Sequence, residues 1–426
     1  MASPAALRKP LFAFTQSRPG RDETPLTVAL VGDSAHAHDR QAKALLDAAV
    51  GLKRAGARPL VFAALGPPDP RLAAAGVETV CLDDRPGQTS QPFWSFRAAK
   101  ALAEFLRTLP DENAVLHLHG YAQALSPSIK TAIAGRGLPT IFTMHDYFLL
   151  CPTGGLYNYQ TREICGLAPL SRACVSRHCD MRSYGRKLWR VGRHLLAESA
   201  PALSSLFSDI ILATRFQREA VGALLPKARQ HILSNPIDVP DFGPRRSTGE
   251  GFVFLGGLSP EKGPLVFAEA AKRAGVTATF IGDGPLRGEI AARYPDARLV
   301  GWKNPGVAQA IMRDARALVF PSLWYEAQGS AVIEAKALGV PVIVSDACAA
   351  RDEIERGKAG LLFKSDDAAS LAEALVRLGD EDHAAALSRG AYQSYWAAPR
   401  SLQRHVDGLL RIYRGMVRNR RAVAGA

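Results

Sequence analysis

Short apolar strands alternate with amphipathic helices along most of this chain of 426 residues, and they do so in two separate runs. Strands that alternate with helices form parallel sheets covered on both faces. We therefore expect an α/β fold with two doubly wound, Rossmann-like domains and ligand sites at the carboxyl ends of their strands. The predicted strands are residues 26–31, 59–64, 77–82, 114–118 and 140–143 in the first run, and 252–255, 277–281, 298–300, 317–320 and 340–344 in the second.

The domain limits follow from breaks in this pattern. Residues 1–24 are expected to be a flexible tail, followed by a first domain at residues 25–236. A stretch rich in Pro, Gly and charge lies at the break, so the second domain is expected at residues 237–400. Residues 401–426 contain a basic helix, which we expect to pack back on the first domain.

Composition narrows the class of protein. Hydrophobic residues make up 47% of the chain and charged residues 22%, which is typical of a globular protein. We see no run of ~20 apolar residues and no signal peptide, so a soluble, cytoplasmic protein is expected. The net charge of +13 would attract nucleic acid, anionic lipid or phosphorylated small molecules. Motifs for nucleic-acid binding are not evident, so no nucleic-acid partner is expected.

Two carboxylates, Glu326 and Glu334, flank the start of a predicted helix that follows a buried strand. The free backbone N–H groups of Gly329, Ser330 and Ala331 at that helix start form an anion site. Carboxylates on both sides of a phosphate site suit a nucleotide sugar, whose ribose and hexose both present pairs of hydroxyls. From the spacing alone, two surface glutamates on a capped helix are the favoured explanation.

Two further loops follow strands of the same predicted sheet. Lys262 lies in a strand-to-helix loop, where a phosphate can bind, and a second loop has the pattern Gly-Asp-Gly-Pro. Alone, the first is a surface lysine and the second a turn. Together with the glutamate pair, they predict a nucleotide crevice. The remaining loop residues expected to bind the donor are Gly256, Gly257, Gly282, Asp283 and Gly284.

In this order, the three loops resemble those of the retaining glycosyltransferases of family 4 (glycosyl transferases group 1), which build bacterial polysaccharides and glycolipids. The resemblance covers about residues 112–395. It implies the GT-B fold, in which an acceptor-binding and a nucleotide-sugar-binding domain face a central cleft. The implied reaction moves a sugar from a UDP-, GDP- or ADP-sugar to a glycan or lipid-linked acceptor, with no cofactor required for catalysis.

The same resemblance assigns a role to each matching residue. Glu326 contacts hydroxyls of the donor sugar, and Glu334 binds the ribose. Lys262 neutralises the diphosphate, while the helix start donates backbone hydrogen bonds to it. His145, at the end of a strand of the first domain, resembles the family's active-site histidine, which contacts the donor sugar. The resemblance therefore implies that His145, Glu326 and Lys262 are the catalytic residues.

One position departs from the family pattern. Gly257 stands where the family usually has an arginine, which pairs with the lysine to hold the leaving diphosphate. Its loss removes a bidentate charge, although Arg287 or Lys303 could substitute for it. This departure keeps open a second hypothesis, a catalytically weak or inactive GT-B scaffold that only binds nucleotide sugars.

A different class, the nucleotide-dependent epimerases and dehydrogenases, needs Gly-x-Gly-x-x-Gly after the first strand. This chain has a single glycine there, in the loop at residues 32–39. His36 and His38 in that loop suggest a metal site, but a loop that contacts the acceptor is favoured. His117 is favoured as a core residue satisfied by the backbone. The residues assigned to the acceptor side are Gly32, Asp33, His36, His117 and His119.

Four cysteines lie close together in the sequence, with His178 between the last two. Disulfides are rare in cytosolic proteins, which leaves reduced thiols or a structural zinc. Zinc needs four such ligands, but a Cys-x2-Cys pair is missing here, so scattered thiols are favoured over zinc. The candidate zinc ligands are Cys151, Cys165, Cys174 and Cys179.

The segment Arg182–Arg193 is basic, and Leu188, Trp189 and Val191 can form an apolar side. Such a helix can lie on anionic lipid, although an ordinary solvated helix with a packed Trp is commoner. Because family acceptors are often lipid-linked, peripheral contact with an anionic membrane, at its inner face, is kept as a minor hypothesis.

Overall fold

The structure is a computed structural model that describes residues 25–37, 39–83, 91–225 and 227–424. The predicted tail, residues 1–24, and His38 lie outside the described residues. The described part contains two parallel sheets flanked by helices, which confirms the predicted α/β class with its two doubly wound units.

The first sheet has seven strands in the order β3-β2-β1-β4-β5-β8-β9, all of them parallel. A separate antiparallel pair, β6 and β7, lies in the long connection between β5 and β8. The strands are β1 (Thr27–Ser34), β2 (Arg58–Leu65), β3 (Glu78–Asp83), β4 (Ala114–Leu118), β5 (Thr140–Thr143), β6 (Tyr157–Asn158), β7 (Glu163–Ile164), β8 (Asp209–Leu212) and β9 (Arg229–Ile232). The helices are α1 (Arg40–Arg54), α2 (Pro70–Ala74), α3 (Phe96–Arg107), α4 (Ile129–Arg136), α5 (Arg172–Ser176), α6 (Tyr184–Glu198) and α7 (Arg215–Val221).

The second sheet has six parallel strands in the order β12-β11-β10-β13-β14-β15. The strands are β10 (Phe252–Leu255), β11 (Ala278–Ile281), β12 (Arg298–Gly301), β13 (Ala317–Phe320), β14 (Val342–Ser345) and β15 (Gly360–Phe363). The helices are α8 (Pro264–Ala274), α9 (Arg287–Arg293), α10 (Pro305–Arg313), α11 (Ser330–Ala337), α12 (Ala368–Arg377), α13 (Glu381–Trp396) and α14 (Leu402–Ala424).

Helix α1 shows why these sequences form helices between the strands. The Asp39 side chain caps its first turn by accepting a hydrogen bond of 2.7 Å from the backbone N–H of Ala42. Leu45, Leu46 and Leu52 are buried on the face that covers the first sheet. Capping and the buried apolar face together fix the helix behind β1.

The last helix, α14, leaves the second domain and lies against the first. Its residues Val406, Leu409 and Tyr413 belong to the same buried cluster as Leu45 and Leu46 of α1. One face of the first sheet is therefore covered in part by the C-terminal end of the chain.

The strand order also fixes where a ligand can bind. In the first sheet the order reverses between β1 and β4, and in the second between β10 and β13. Crevices in such sheets open at the carboxyl ends of strands beside this reversal. A ligand is therefore expected to bind beside the loops that follow β1, β4, β10 and β13.

Candidate active site

The loop between β13 and α11 carries Glu326, whose carboxylate is almost completely buried, with 6% of the residue exposed. Its Oε2 accepts hydrogen bonds from Lys262 Nζ at 2.5 Å and Trp324 Nε1 at 3.0 Å, and a third from Ser322 Oγ at 3.2 Å. Its Oε1 lies 3.9 Å from Arg40 Nη1 of the first domain. The carboxylate thus lies between cations from both domains.

Two opposing effects act on the pKa of Glu326. Burial alone would raise this pKa, because a low-dielectric surrounding disfavours the charged form. The positive charges of Lys262 and Arg40, with the hydrogen bonds from Lys262 and Trp324, outweigh burial and lower the pKa below its ordinary value. Glu326 is therefore an anion at neutral pH.

Lys262 is held beside Glu326 by the backbone of its own loop. It ends a short 3-10 turn, and Gly263 follows with a φ of +66°. A Cβ at Gly263 would lie 2.0 Å from the carbonyl oxygen of Pro321, so only glycine lets the two loops approach this closely. The ammonium also lies 5.0 Å from the centre of the Trp324 ring, a cation–π contact.

The glycine loops after β10 and β11 are bonded to each other. The backbone N–H of Gly256 donates to the carbonyl of Ile281 at 3.0 Å, and that of Leu258 donates to Asp283 at 2.9 Å. The Asp283 carboxylate accepts from the backbone N–H of Gly284 at 2.8 Å, so it shapes its own turn. These contacts join the loop after β10, which carries Lys262, to the loop after β11.

Gly257, in the loop after β10, has free space around it. A Cβ there would meet only the carbonyl oxygen of Asp283, at 4.0 Å. Of the two cations suggested as substitutes for the family arginine, Arg287 donates instead to the carbonyl of Leu299 at 3.3 Å.

Helix α11 begins directly after the Glu326 loop. Gly329 is its N-cap with a φ of +70°, and the backbone of Ser330 and Ala331 forms the first turn. Glu334 lies one turn further along. Burial raises the pKa of its carboxyl, against the opposing charges of Arg40 and Lys43. Arg40 therefore acts on both glutamates, which places the predicted pair around one helix start.

The first domain closes over this loop. The Tyr147 hydroxyl donates to the carbonyl of Tyr325 at 2.7 Å, and the Thr214 hydroxyl donates to that of Ala327 at 3.2 Å. The Tyr147 and Trp324 rings meet edge to face, with centres 6.3 Å apart. The loop that carries Glu326 is thus enclosed between the two domains.

His145 follows β5 and contacts a second histidine from the end of β4. Its Nε2 lies 3.1 Å from Nδ1 of His119, and the two rings are stacked at 5.3 Å and 19°. Burial, with a smaller effect from the charge of His405, lowers the pKa of His145 to about 3. Burial also lowers the pKa of His119 far below its ordinary value. Both rings are therefore neutral at neutral pH.

His117 has a structural environment. It is fully buried, and its Nδ1 lies 2.6 Å from the Tyr413 hydroxyl of α14 while its Nε2 lies 2.7 Å from the Thr143 hydroxyl. These two contacts occupy both ring nitrogens, and a role of His117 on the acceptor side stays an untested prediction. The expected core position is observed, with side-chain hydroxyls as partners instead of the backbone.

Three of the other residues expected on the acceptor side lie together, whereas His36 lies apart from them. The Asp33 carboxylate accepts backbone hydrogen bonds from Gln123, Ala124 and Leu125 at 3.1, 2.7 and 2.9 Å, so it orders a loop. His36 is exposed on the loop after β1. Gly32, Asp33 and His119 line one recess next to the start of α1. Other residues of this recess are Ser34, Asp39, Gln41 and Gln123.

Sequence reasoning missed Arg40, Tyr147 and Asp146 as residues of the site. Burial raises the pKa of Asp146 to about 7, and the negative charges of Asp33 and Asp39 act in the same direction. Its Oδ1 accepts from the backbone N–H of Phe148 at 3.0 Å. The sequence feature that could have identified Asp146 is its position directly after His145, at the carboxyl end of a buried strand.

The family is decided by comparison with known sequences. The family model described as "Glycosyl transferase 4-like domain" matches residues 41–236, and the model described as "Glycosyl transferases group 1" matches residues 249–381. The chain belongs to glycosyltransferase family 4. This confirms the family that the loop sequences resemble.

Individual relatives match this glycosyltransferase over part of their length. The UDP-Gal:alpha-D-GlcNAc-diphosphoundecaprenol alpha-1,3-galactosyltransferase of Escherichia coli is 30% identical over 181 residues, which are 35% of this chain and 45% of that enzyme. The match thus spans less than half of that relative.

Solved structures with the same fold match over nearly the whole chain. A glycosyltransferase from Rickettsia africae has a TM-score of 0.66 at 15% identity and covers 93% of this chain and 100% of its own. HepE from Anabaena, solved in complex with UDP, has a TM-score of 0.63 at 15% identity. The match covers 91% of this chain and 100% of HepE. At this identity, the likeness shows the GT-B fold.

The cysteine cluster of this glycosyltransferase surrounds a lysine. Lys187 is buried, and its ammonium donates to Cys179 Sγ at 3.1 Å and to Cys174 Sγ at 3.7 Å. Across the described ranges, no three His, Cys, Asp or Glu side chains are arranged to hold a metal ion. Lys187 thus bonds two of the four candidate zinc ligands Cys151, Cys165, Cys174 and Cys179, and a structural zinc there stays a prediction.

The basic segment forms α6, and its arginines bond within the protein. Arg190 pairs with Asp180 at 3.3 Å, and the buried Arg193 donates to the carbonyl of Pro92 at 3.0 Å. The Arg186 guanidinium lies 4.0 Å from the centre of the Trp189 ring. In the part of the chain that the structure describes, no helix is long and apolar enough to cross a membrane.

Proposed function

We propose that this glycosyltransferase moves a sugar from a nucleoside-diphosphate sugar to a hydroxyl of a glycan or lipid-linked acceptor, with retention at the anomeric carbon. The observation that carries the proposal is the contact between Lys262 and Glu326 beside the start of α11. It puts one cation and one carboxylate at an anion-binding helix end, where a diphosphate and a sugar would lie next to each other.

Each residue has a distinct task in this reaction. As the bond between the anomeric carbon and the phosphate oxygen breaks, the leaving diphosphate keeps the electron pair. Lys262 and the N–H groups at the start of α11 stabilise that added negative charge. Glu326, held anionic, accepts hydrogen bonds from sugar hydroxyls and stabilises positive charge on the sugar ring. Glu334 binds the ribose hydroxyls one turn further along the helix.

Retention requires the acceptor oxygen to attack from the face that the phosphate leaves. We place the acceptor on the first domain, whose Arg40 and Tyr147 contact the Glu326 loop. The departing phosphate oxygen then lies on the same face and takes the proton of the attacking hydroxyl. Charge on the diphosphate is offset by protein groups in this scheme.

The names of similar proteins support a nucleotide-sugar donor. HepE was solved with UDP, and the Escherichia coli relative is named for UDP-galactose and a diphosphoundecaprenol-linked acceptor. We extend these properties to this chain as a proposal only, with UDP-, GDP- and ADP-sugars as candidate donors and cell-surface polysaccharide or glycolipid synthesis, in the cytoplasm, as the setting.

The proposal is tested by release of nucleoside diphosphate from a panel of UDP-, GDP- and ADP-sugars, with a panel of glycan and lipid-linked acceptors. We expect release with at least one pair, and proton NMR of the product should show the donor's anomeric configuration. A product of opposite configuration contradicts retention. Donors that bind without any release would favour the alternative, an inactive scaffold, which the comparisons do not favour.

A further inference from the structure

His119 and His145 share one hydrogen between two ring nitrogens. The 3.1 Å between His119 Nδ1 and His145 Nε2 requires one nitrogen to donate and the other to accept. Because burial keeps both rings neutral, each ring carries a single hydrogen. Two tautomeric arrangements are therefore available to the pair.

In the first arrangement, His119 carries its hydrogen on Nδ1 and donates it to His145, whose own hydrogen is then on Nδ1. In the second, His145 donates from Nε2, and the hydrogen of His119 is on Nε2. The two arrangements give His145 opposite properties towards a substrate. In the first, its Nδ1 is a hydrogen-bond donor, and in the second it is an acceptor.

The surroundings of His119 Nε2 favour one of the two tautomeric arrangements. Nε2 of His119 is buried and has no hydrogen-bond partner among the described residues. The second arrangement would leave an N–H donor there unpaired, which proteins rarely tolerate. The first leaves only a bare lone pair, which is less costly. The first arrangement is therefore favoured.

Packing prevents His119 from turning away to another partner. Its ring lies against that of His117, with centres 4.1 Å apart. Both nitrogens of His117 already bond to hydroxyls of Tyr413 and Thr143, so His117 has no nitrogen left for His119.

We propose that His119 is a positioning residue that holds His145 with its hydrogen on Nδ1, so that His145 donates a hydrogen bond to a substrate oxygen. This inference rests on the proposed function together with the role that the family resemblance gives His145, contact with the donor sugar. The recipient is an oxygen of the donor, either a sugar hydroxyl or a phosphate oxygen. His145 is thereby excluded as the base that removes the acceptor proton.

Two substitutions of matching size separate the alternatives. In His119→Asn the side-chain amide can still donate from near the Nδ1 position, whereas in His119→Asp a carboxylate can only accept there. Selective 15N labelling of histidine, with His145 assigned by its own substitution, reports the tautomer by NMR at neutral pH. We expect the hydrogen on Nδ1 of His145 in the wild type and in His119→Asn, and on Nε2 in His119→Asp.

Activity should follow the tautomer. Loss of one hydrogen bond to a developing charge can cost about 100- to 1,000-fold in rate, so His119→Asn should be at least about ten times as active as His119→Asp. Affinity for UDP, used as the probe, should stay within about twofold in both variants, since the diphosphate residues lie in the other domain. The same exchanges at His383 of α13 serve as the control.

Two results would overturn the inference: the hydrogen of wild-type His145 on Nε2, or equal activity of the two variants with unchanged UDP affinity. A variant that does not fold is recognised by its thermal unfolding, and the wild-type tautomer then decides alone. If the wild type transfers no sugar from any donor, the proposed function fails, while the NMR measurement still answers the tautomer question.

Discussion

Gly257 lies where the family resemblance led us to expect an arginine, and the structure shows room for a Cβ there. A Cβ there meets only the carbonyl oxygen of Asp283, at 4.0 Å, and we expect a guanidinium at this position to reach the proposed diphosphate site. We expect Gly257→Arg to tighten nucleoside-diphosphate binding by about tenfold, the effect of one charge-assisted contact.

Calorimetric titration with UDP and GDP measures this change. Gly257→Gln is the matched control, because it adds similar length without charge. Equal affinities in the two variants would show that the diphosphate does not lie where we place it.

Asp146 should make stability depend on pH. Its pKa is raised to about 7, so between about pH 4 and pH 7 the folded protein keeps a proton that the unfolded chain releases. The free energy of unfolding from this group therefore falls as pH rises through that interval. His145, with its pKa lowered to about 3, contributes the opposite slope up to its ordinary value of 6.5.

Because the two slopes oppose each other, the comparison must be between variants. Urea unfolding of the wild type and Asp146→Asn from pH 4 to 7.5 should show a stability difference that grows in favour of the variant as pH rises. Asp382→Asn, on the exposed start of α13, should run parallel to the wild type. Parallel curves for Asp146→Asn would contradict the raised pKa.

At the scale of elements, α14 supports the histidines of the first domain. Tyr413, fully buried on α14, bonds Nδ1 of His117, which packs against His119. Tyr413→Phe leaves that buried nitrogen without its partner, at a cost of about 1–3 kcal/mol in unfolding free energy.

The midpoint of urea unfolding measures this loss. Tyr392→Phe, which removes an exposed hydroxyl bonded to Asp241, is the control and should cost less. If Tyr413→Phe were no more destabilising than Tyr392→Phe, the hydrogen bond to His117 would not be important for stability.

Several strands could be predicted from the sequence, and there are physical reasons why others were missed. Strands β4, β5, β10 and β13 are apolar and buried, and the structure confirms their predicted bounds. Strand β9 was missed because it is an edge strand with polar residues, and the buried Asp209 of β8 pairs with its Arg229 at 2.9 Å. A pattern search for apolar runs does not find strands joined by such ion pairs.

The contacts of the candidate site could also be predicted only in part. Lys262 and Glu326 were predicted together because each lies in a local pattern at a strand end, and the 2.5 Å contact brings these patterns together. The contact between His119 and His145 depends on how β4 and β5 align, with Leu118 opposite Phe142, which periodicity does not specify. The backbone donors that hold the Asp33 carboxylate could not be predicted, because they lie about 90 residues away in the sequence.

For the whole molecule, the net charge of +13 suggests attraction to anionic membranes. The arginines of α6 have internal partners, however, and its exposed side chains include the apolar Leu188 and Leu195, at 43% and 54%. We expect weak co-sedimentation with anionic vesicles that salt abolishes, and no difference for Leu188→Ser. Binding that persists in salt and needs Leu188 would show that α6 inserts into the membrane.

The two domains enclose Glu326, and the central claim is that this carboxylate acts on the sugar while Glu334 holds the nucleotide. The most direct test is steady-state release of nucleoside diphosphate by Glu326→Gln and Glu334→Gln, with the exposed Glu289→Gln as control. We predict that Glu326→Gln lowers kcat by about 100-fold or more, and that Glu334→Gln mainly raises the donor KM by about tenfold. Wild-type kcat in Glu326→Gln would contradict the account.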